Sequence, residues 1–172
     1  MSSMKNRSIA LYVENQVGVL AKVSGLFSAK SYNLQTLTVG TTEREDVSRM
    51  TISVMADDVT FEQIKKQLNA MVEVIKVIDL TTIPIHMKEI LFAKVYGLKD
   101  GGKTEVFQIA EVYDQGGSVT ITDIGEDSVL LECLLTERRN NELIALLKRR
   151  FKKIEVVRGG TVAIESISTS CR

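Results

Sequence analysis

Residues Ile9 to Val39 read IALYVENQVGVLAKVSGLFSAKSYNLQTLTV, and the order of elements in this stretch decides the fold. Ile9, Leu11 and Val13 alternate as a half-buried strand requires, whereas Leu20, Val23 and Phe27 recur at the spacing of one helix face. Asn15 to Gly18 makes a tight turn between them, and Asn33 to Thr41 returns to strand character. Further on, Met50, Ile52 and Val54 alternate with Thr51 and Ser53, so Val47 to Met55 is a strand and the charged TEREDV before it a hairpin loop. Thr60 and Gln63 form a T-x-x-Q capping box ahead of Phe61, Ile64, Leu68 and Met71 at helical spacing, and Val74 to Thr81 supplies a fourth strand. The order is βαββαβ, the split βαβ arrangement of ferredoxin-like domains.

The same order recurs downstream. Strand Glu89 to Tyr96 leads to helix Thr104 to Asp114, strands Ser118 to Ile124 and Ser128 to Thr136, helix Glu137 to Arg150 and strand Ile154 to Val157. The expected fold class is therefore α+β, with two ferredoxin-like domains at residues 1–82 and 89–172. A linker at 83–88 holds the only proline, which interrupts strand-like sequence.

Composition narrows the function. Of 172 residues 44% are hydrophobic, enough for a packed core, and 22 Lys+Arg balance 22 Asp+Glu, so no net charge draws the chain to nucleic acid or an anionic membrane. No apolar run approaches the roughly 20 residues that span a bilayer, and the start, MSSMKNRS, enters a strand without a leader-like apolar segment, so a cytoplasmic protein is expected. Cys133 in VLLECLL and Cys171 near the end read as reduced thiols. With one histidine and no C-x-x-C or H-x-x-x-H spacing, no metal site is expected.

One motif invites an enzymatic reading. Gly97 to Thr104, GLKDGGKT, matches G-x-x-x-x-G-K-[ST], in which Gly97, Gly102, Lys103 and Thr104 would cradle phosphates and hold magnesium. A P-loop also needs a parallel sheet and a magnesium-binding Asp after a buried strand. Here two adjacent strands joined by the turn Gly125 to Asp127 follow, and the strand before Asp123 alternates like an antiparallel one. A glycine-rich strand-to-helix loop is the simpler reading. His86 has no nucleophile beside it, Cys133 sits among leucines that oppose thiolate formation, and the carboxylates Glu14, Glu43, Glu45 and Asp46 read as a solvated rim. No catalytic residue is expected.

Asn15 to Gly18 offers different chemistry. The backbone N–H groups of Val17, Gly18, Val19 and Leu20 open a helix whose positive dipole end suits a carboxylate, and Gly18 permits close approach. Asn15 can donate or accept, and Asn33 could accept from an ammonium group across a subunit boundary. The competing structural reading is that Asn15 caps the helix and Asn33 breaks the turn into the next strand.

The pattern from Val13 to Val39, VENQVGVLAKVSGLFSAKSYNLQTLTV, with SRMTISV at Ser48 to Val54 and EQIKKQLNAMVEVIKV at Glu62 to Val77, resembles the ACT domain of the small regulatory subunits of acetohydroxyacid synthase, or acetolactate synthase. The second half, with EILFAKV, Gly116-Gly117 and VVRGGTVAI, is similar in outline but looser. The resemblance implies a pair of ferredoxin-like domains that dimerises through ACT domains, with a branched-chain amino acid, usually valine, at that interface. Carried over by position, Asn15, Val17, Gly18, Val19, Leu20, Asn33 and Leu34 would form the effector site. Gln16-Val17 departs from relatives with a charged residue followed by a small one or Pro, which touches the choice of effector. The implied partner is a catalytic large subunit holding thiamine diphosphate, magnesium and FAD, with no cofactor on this chain. A phosphate-binding protein built on Gly97 to Thr104 and a free-standing amino-acid sensor are the alternatives.

Overall fold

The computed structural model describes residues 3–170. The chain forms two compact units, one from the chain up to His86 together with the residues from Thr161 onward, the other from Met87 to Gly160.

In the first unit β1 (Lys5–Glu14), α1 (Val19–Ala29), β2 (Leu34–Thr41), β3 (Val47–Ala56), α2 (Asp58–Asn69) and β4 (Val74–Asp79) follow in the expected βαββαβ order. The sheet order is β2-β3-β1-β4, antiparallel throughout, with Ile9 opposite Ile52 and Leu11 opposite Met50. That register turns Ile9, Leu11, Val13, Met50, Ile52 and Val54 to one face, where Val23 and Phe27 of α1 and Phe61, Ile64 and Leu68 of α2 close the core. Burying side chains of this size stabilises the fold by roughly 2 kcal/mol each, which is why the period of the apolar pattern dictates the architecture. Helix α2 starts earlier than the T-x-x-Q box predicts. Asp57 is the N-cap and its carboxylate accepts from the backbone N–H of Thr60 at 2.7 Å, so Thr60 lies inside the first turn. The same bond holds the Asp57 carboxyl below the ordinary carboxylate range.

The opposite face of this sheet carries Thr38, Arg49, Thr51 and Ser53. Residues 161–165, the end of the chain's last long strand, lie against it. Thr38 Oγ1 donates to the carbonyl of Thr161 at 2.8 Å, and Arg49 donates to the carbonyl of Ala163 at 2.8 Å and to the Glu165 carboxylate at 3.1 Å.

The second unit is built on β5 (Ile85–Tyr96), α3 (Gly102–Tyr113), β6 (Val119–Ile124), β7 (Val129–Leu135), α4 (Glu137–Arg150) and β8 (Lys153–Glu165), with sheet order β6-β7-β5-β8. Leu91, Val95, Leu131 and Leu135 pack against Val106, Ile109, Leu143 and Leu147 of the helices. Cys133 shares this core; burial, with the charge of Glu132 adding to it, pushes its thiol up to about 12. Cys171 lies outside the described residues. Glu89 is buried beneath the helices, where its carboxylate accepts from Arg158 at 2.9 and 2.7 Å and from Asn140 at 2.9 Å.

Two boundaries differ from those read in the sequence. The stretch 83–88, expected as a linker, is strand from Ile85 onward and includes His86, because Pro84 precedes the ladder, where its missing N–H is harmless. Strand β8 does not end at Val157. It runs through Gly159 and Gly160 to Glu165. A Cβ on Gly159 would meet Ile90 Cγ2 at 2.5 Å, and Gly160 adopts φ 81°, after which residues 161–165 join the first unit.

Candidate functional site

The turn between β1 and α1 is shaped by two residues. Gly18 is the N-cap of α1 at φ 89°, ψ −9°, left-handed backbone that a side chain resists, and no side-chain hydrogen bond caps the helix. Open space faces its missing Cβ. Asn15 does not cap the helix. Its amide Nδ2 donates to the carbonyl of Glu45 at 2.8 Å, its Oδ1 accepts from Ser48 Oγ at 3.0 Å, and its backbone N–H donates to the carbonyl of Asp46 at 2.8 Å. The side chain thus fastens the turn to the hairpin between β2 and β3, and both of its polar ends have partners.

The other predicted residues divide by what they present. Val19 is 4% exposed and its side chain belongs to the core, so only its backbone faces the turn, where its N–H reaches the carbonyl of Gln16 at 3.3 Å. Val17 is fully exposed and Leu20 is 41% exposed, two apolar side chains in solvent beside an uncapped helix start. Asn33 is exposed just before β2, and Leu34, its first residue, is half-buried against the core. Lys22 on the first turns of α1 is paired with Glu73, so the nearest cation of the helix is already neutralised. Free N–H groups with apolar surface around them can take a small molecule that joins a carboxylate to an aliphatic chain.

The loop Gly97 to Gly101 connects β5 to α3 with the same backbone device. Gly101 is the N-cap at φ 81°, ψ −14°, again without a side-chain cap. A cleft of about 730 Å³ lies beside it, lined by Lys99, Arg150, Lys152 and Lys153 among others. The arrangement is not that of a P-loop. Lys103, the residue that would neutralise phosphate, donates to the carbonyl of Gly125 at 2.7 Å, Thr104 is a solvent-exposed residue of α3, and the neighbouring strand pairs are antiparallel. Gly97 takes φ 64° and Gly102 packs on Leu98, with its Cβ position 3.3 Å from that side chain. No group of three or more His, Cys, Asp or Glu able to hold a metal occurs among the described residues, and none of their helices is long and apolar enough to cross a membrane.

Some partners were not legible from the residues near the turn. Ser48 and the Glu45 carbonyl, which hold Asn15, sit 33 and 30 positions away. Arg49 stands over the ring of Tyr12 at 5.0 Å and binds Glu165 across 116 positions. A lone arginine within an alternating strand was the available signal, and it names no partner.

Comparison with known proteins matches both units. Residues 9–76 fit the model of the AHAS small subunit-like ACT domain, and residues 88–167 fit that of the small subunit of acetolactate synthase. The chain is 36% identical over 161 residues to the acetolactate synthase small subunit of Aquifex aeolicus, covering 94% of this chain and 81% of that one. It is 38% identical over 157 residues to the probable acetolactate synthase small subunit of Archaeoglobus fulgidus, covering 91% and 94%. The crystal structure of the small subunit from Thermotoga maritima superposes with a TM-score of 0.80 at 31% identity, covering 94% of this chain and 98% of that one. Two matched units in one order, over nearly the whole chain, make this protein a member of the acetolactate synthase small-subunit family, a regulatory subunit whose chemistry is left to a catalytic partner.

Proposed function

We propose that the turn Asn15 to Gly18 and the first turn of α1 bind the carboxylate of a branched-chain amino acid, valine in the first instance. In this reading a second copy of the chain supplies Asn33 and Leu34 for the ammonium and aliphatic ends. The observation that carries it is the uncapped start of α1 at Gly18 beside exposed Val17 and Leu20, with Asn15 holding the turn rather than capping it. Two such chains pair through their ACT units, bind the catalytic large subunit in the cytoplasm and raise its activity, and the effector reverses that gain. Thiamine diphosphate, magnesium and FAD belong to the large subunit. An effector acting at tens of micromolar supplies about 6 kcal/mol of binding free energy, enough to shift an assembly between two arrangements if it favours one of them.

The test is Gly18→Asp in the assembled enzyme. Open space and tolerance of Asp for left-handed backbone let the variant fold, while its carboxylate repels that of the ligand. Valine binding measured by calorimetry is expected to vanish while activation of the large subunit persists. Loss of both together would remove the case for a dedicated effector site.

A further inference from the structure

One face of the second sheet is open to solvent. Helices α3 and α4 close the side that carries Leu91, Val95, Leu131 and Leu135. Alternation along the strands turns Lys88, Ile90, Phe92 and Lys94 of β5 and Leu130, Glu132 and Leu134 of β7 to the other side. That side is apolar. Ile90 is 38% exposed, Leu134 42%, and Val157 of the neighbouring strand β8 58%. Val157 also lines a shallow hollow of about 280 Å³ with Phe92 and Leu130. Beside Ile90 the face is kept flat by Gly159, where no side chain could fit against Ile90 Cγ2. A contiguous exposed apolar patch with charges around it marks a surface that another protein covers.

The charges on this face are set out for a copy of itself. Ile90 and Leu134 stand directly opposite each other in the β5–β7 register. Lys88 lies two residues before Ile90 on one side of that rung, and Glu132, opposite Phe92, lies two residues before Leu134 on the other side. Neither makes an ion pair among the described residues, whereas Lys94 is paired with Glu155 at 3.5 Å. Lys88 and Glu132 are about 13 Å apart along the strands, too far to meet within one chain. A two-fold axis crossing the strands at the Ile90–Leu134 rung exchanges the two positions. It lays Lys88 of each copy over the Glu132 rung of the other, across the gap of about 10 Å between facing sheets that two long side chains span together. Opposite charges equally displaced about an apolar rung are what an isologous contact requires, and they give an unrelated surface no advantage. We propose that the outer face of the second sheet is an interface between two copies of this chain, centred on Ile90 and Leu134 and closed by reciprocal Lys88–Glu132 ion pairs. This contact is additional to the pairing of ACT units and independent of the effector.

Carbodiimide coupling of the full chain, with half of the protein isotopically heavy, tests this by mass spectrometry. The reagent joins an ammonium to a carboxylate only where the two touch, and the labels separate links between chains from links within one. A Lys88–Glu132 link joining light to heavy chains is expected in the wild type. The double variant Lys88→Glu/Glu132→Lys is expected to form the same link in the reversed sense. Leu134→Asp, which places a carboxylate at the centre of the face, is expected to lose it, and Ile90→Asp on the adjacent strand serves if that variant folds poorly. No link between chains at these positions, or a link undiminished in the Asp variants, overturns the proposal. Addition of the large subunit decides the occupant: links from Lys88 or Glu132 to that subunit in place of those between copies overturn it equally.

Discussion

The two strand-to-helix turns of this protein enter their helices by the same backbone route and are furnished differently. Gly18 and Gly101 both sit in the left-handed region with ψ near zero, and neither α1 nor α3 has a side-chain cap. Around the first, an asparagine fastens the turn to a hairpin and exposed apolar side chains stand beside the free N–H groups. Around the second, a lysine is drawn off to Gly125 and further lysines line an open cleft. A glycine-led helix start is thus a structural solution first. Whether it takes a ligand depends on its neighbours, and a complete match to a phosphate-loop pattern is no substitute for them.

The largest expected effect separates stability from effector binding. Arg158→Ala would leave the buried Glu89 carboxylate with Asn140 alone, and loss of one member of such a pair costs about 3 kcal/mol. Chemical denaturation is expected to show that loss, with valine binding to the folded fraction unaltered. A change in valine affinity would mean that the two units do not act separately in binding.

Next in size is the glycine pair. Gly18→Ala and Gly101→Ala each place a Cβ in open space on left-handed backbone, so each should cost about 1 to 2 kcal/mol in stability. Calorimetry is expected to show weaker valine binding for the first and none of that weakening for the second. Equal effects on binding would erase the distinction between the turns. Asn15→Ala removes two side-chain hydrogen bonds to the hairpin and is expected to cost about 1 kcal/mol, seen as a lowered Tm, with valine affinity falling because the turn loses its anchor. The smallest effect belongs to Lys103→Ala, whose bond to Gly125 is worth about 0.5 kcal/mol at the surface. ATP with magnesium should shift the Tm of neither this variant nor the wild type; a shift that disappears with the lysine would restore the nucleotide reading.

Most of the architecture was legible because the apolar residues keep the right period. Alternation in Ile9, Leu11 and Val13 and three-and-four spacing in Val23 and Phe27 admit few arrangements, and the second half repeats them. Ends of elements were less legible. Asp57 and Thr60 are both plausible caps in isolation, and only the backbone of Thr60 arriving at the Asp57 carboxylate decides between them. The last strand, read as Ile154 to Val157, runs on to Glu165, and the Ile90 side chain that demands a glycine at 159 lies 69 positions earlier.

The sequence by itself determined the two βαββαβ units and the glycine turn at the start of α1, because these follow from short-range periodicity and from turn residues next to it. Only the tertiary structure decided that Asn15 is an anchor, that Lys103 points away from its loop, and that residues 161–165 return to the first sheet through Thr38 and Arg49. The physical reason is that a polar side chain is defined by its partner. Those partners lie from 22 to 123 positions away, beyond the reach of any local pattern.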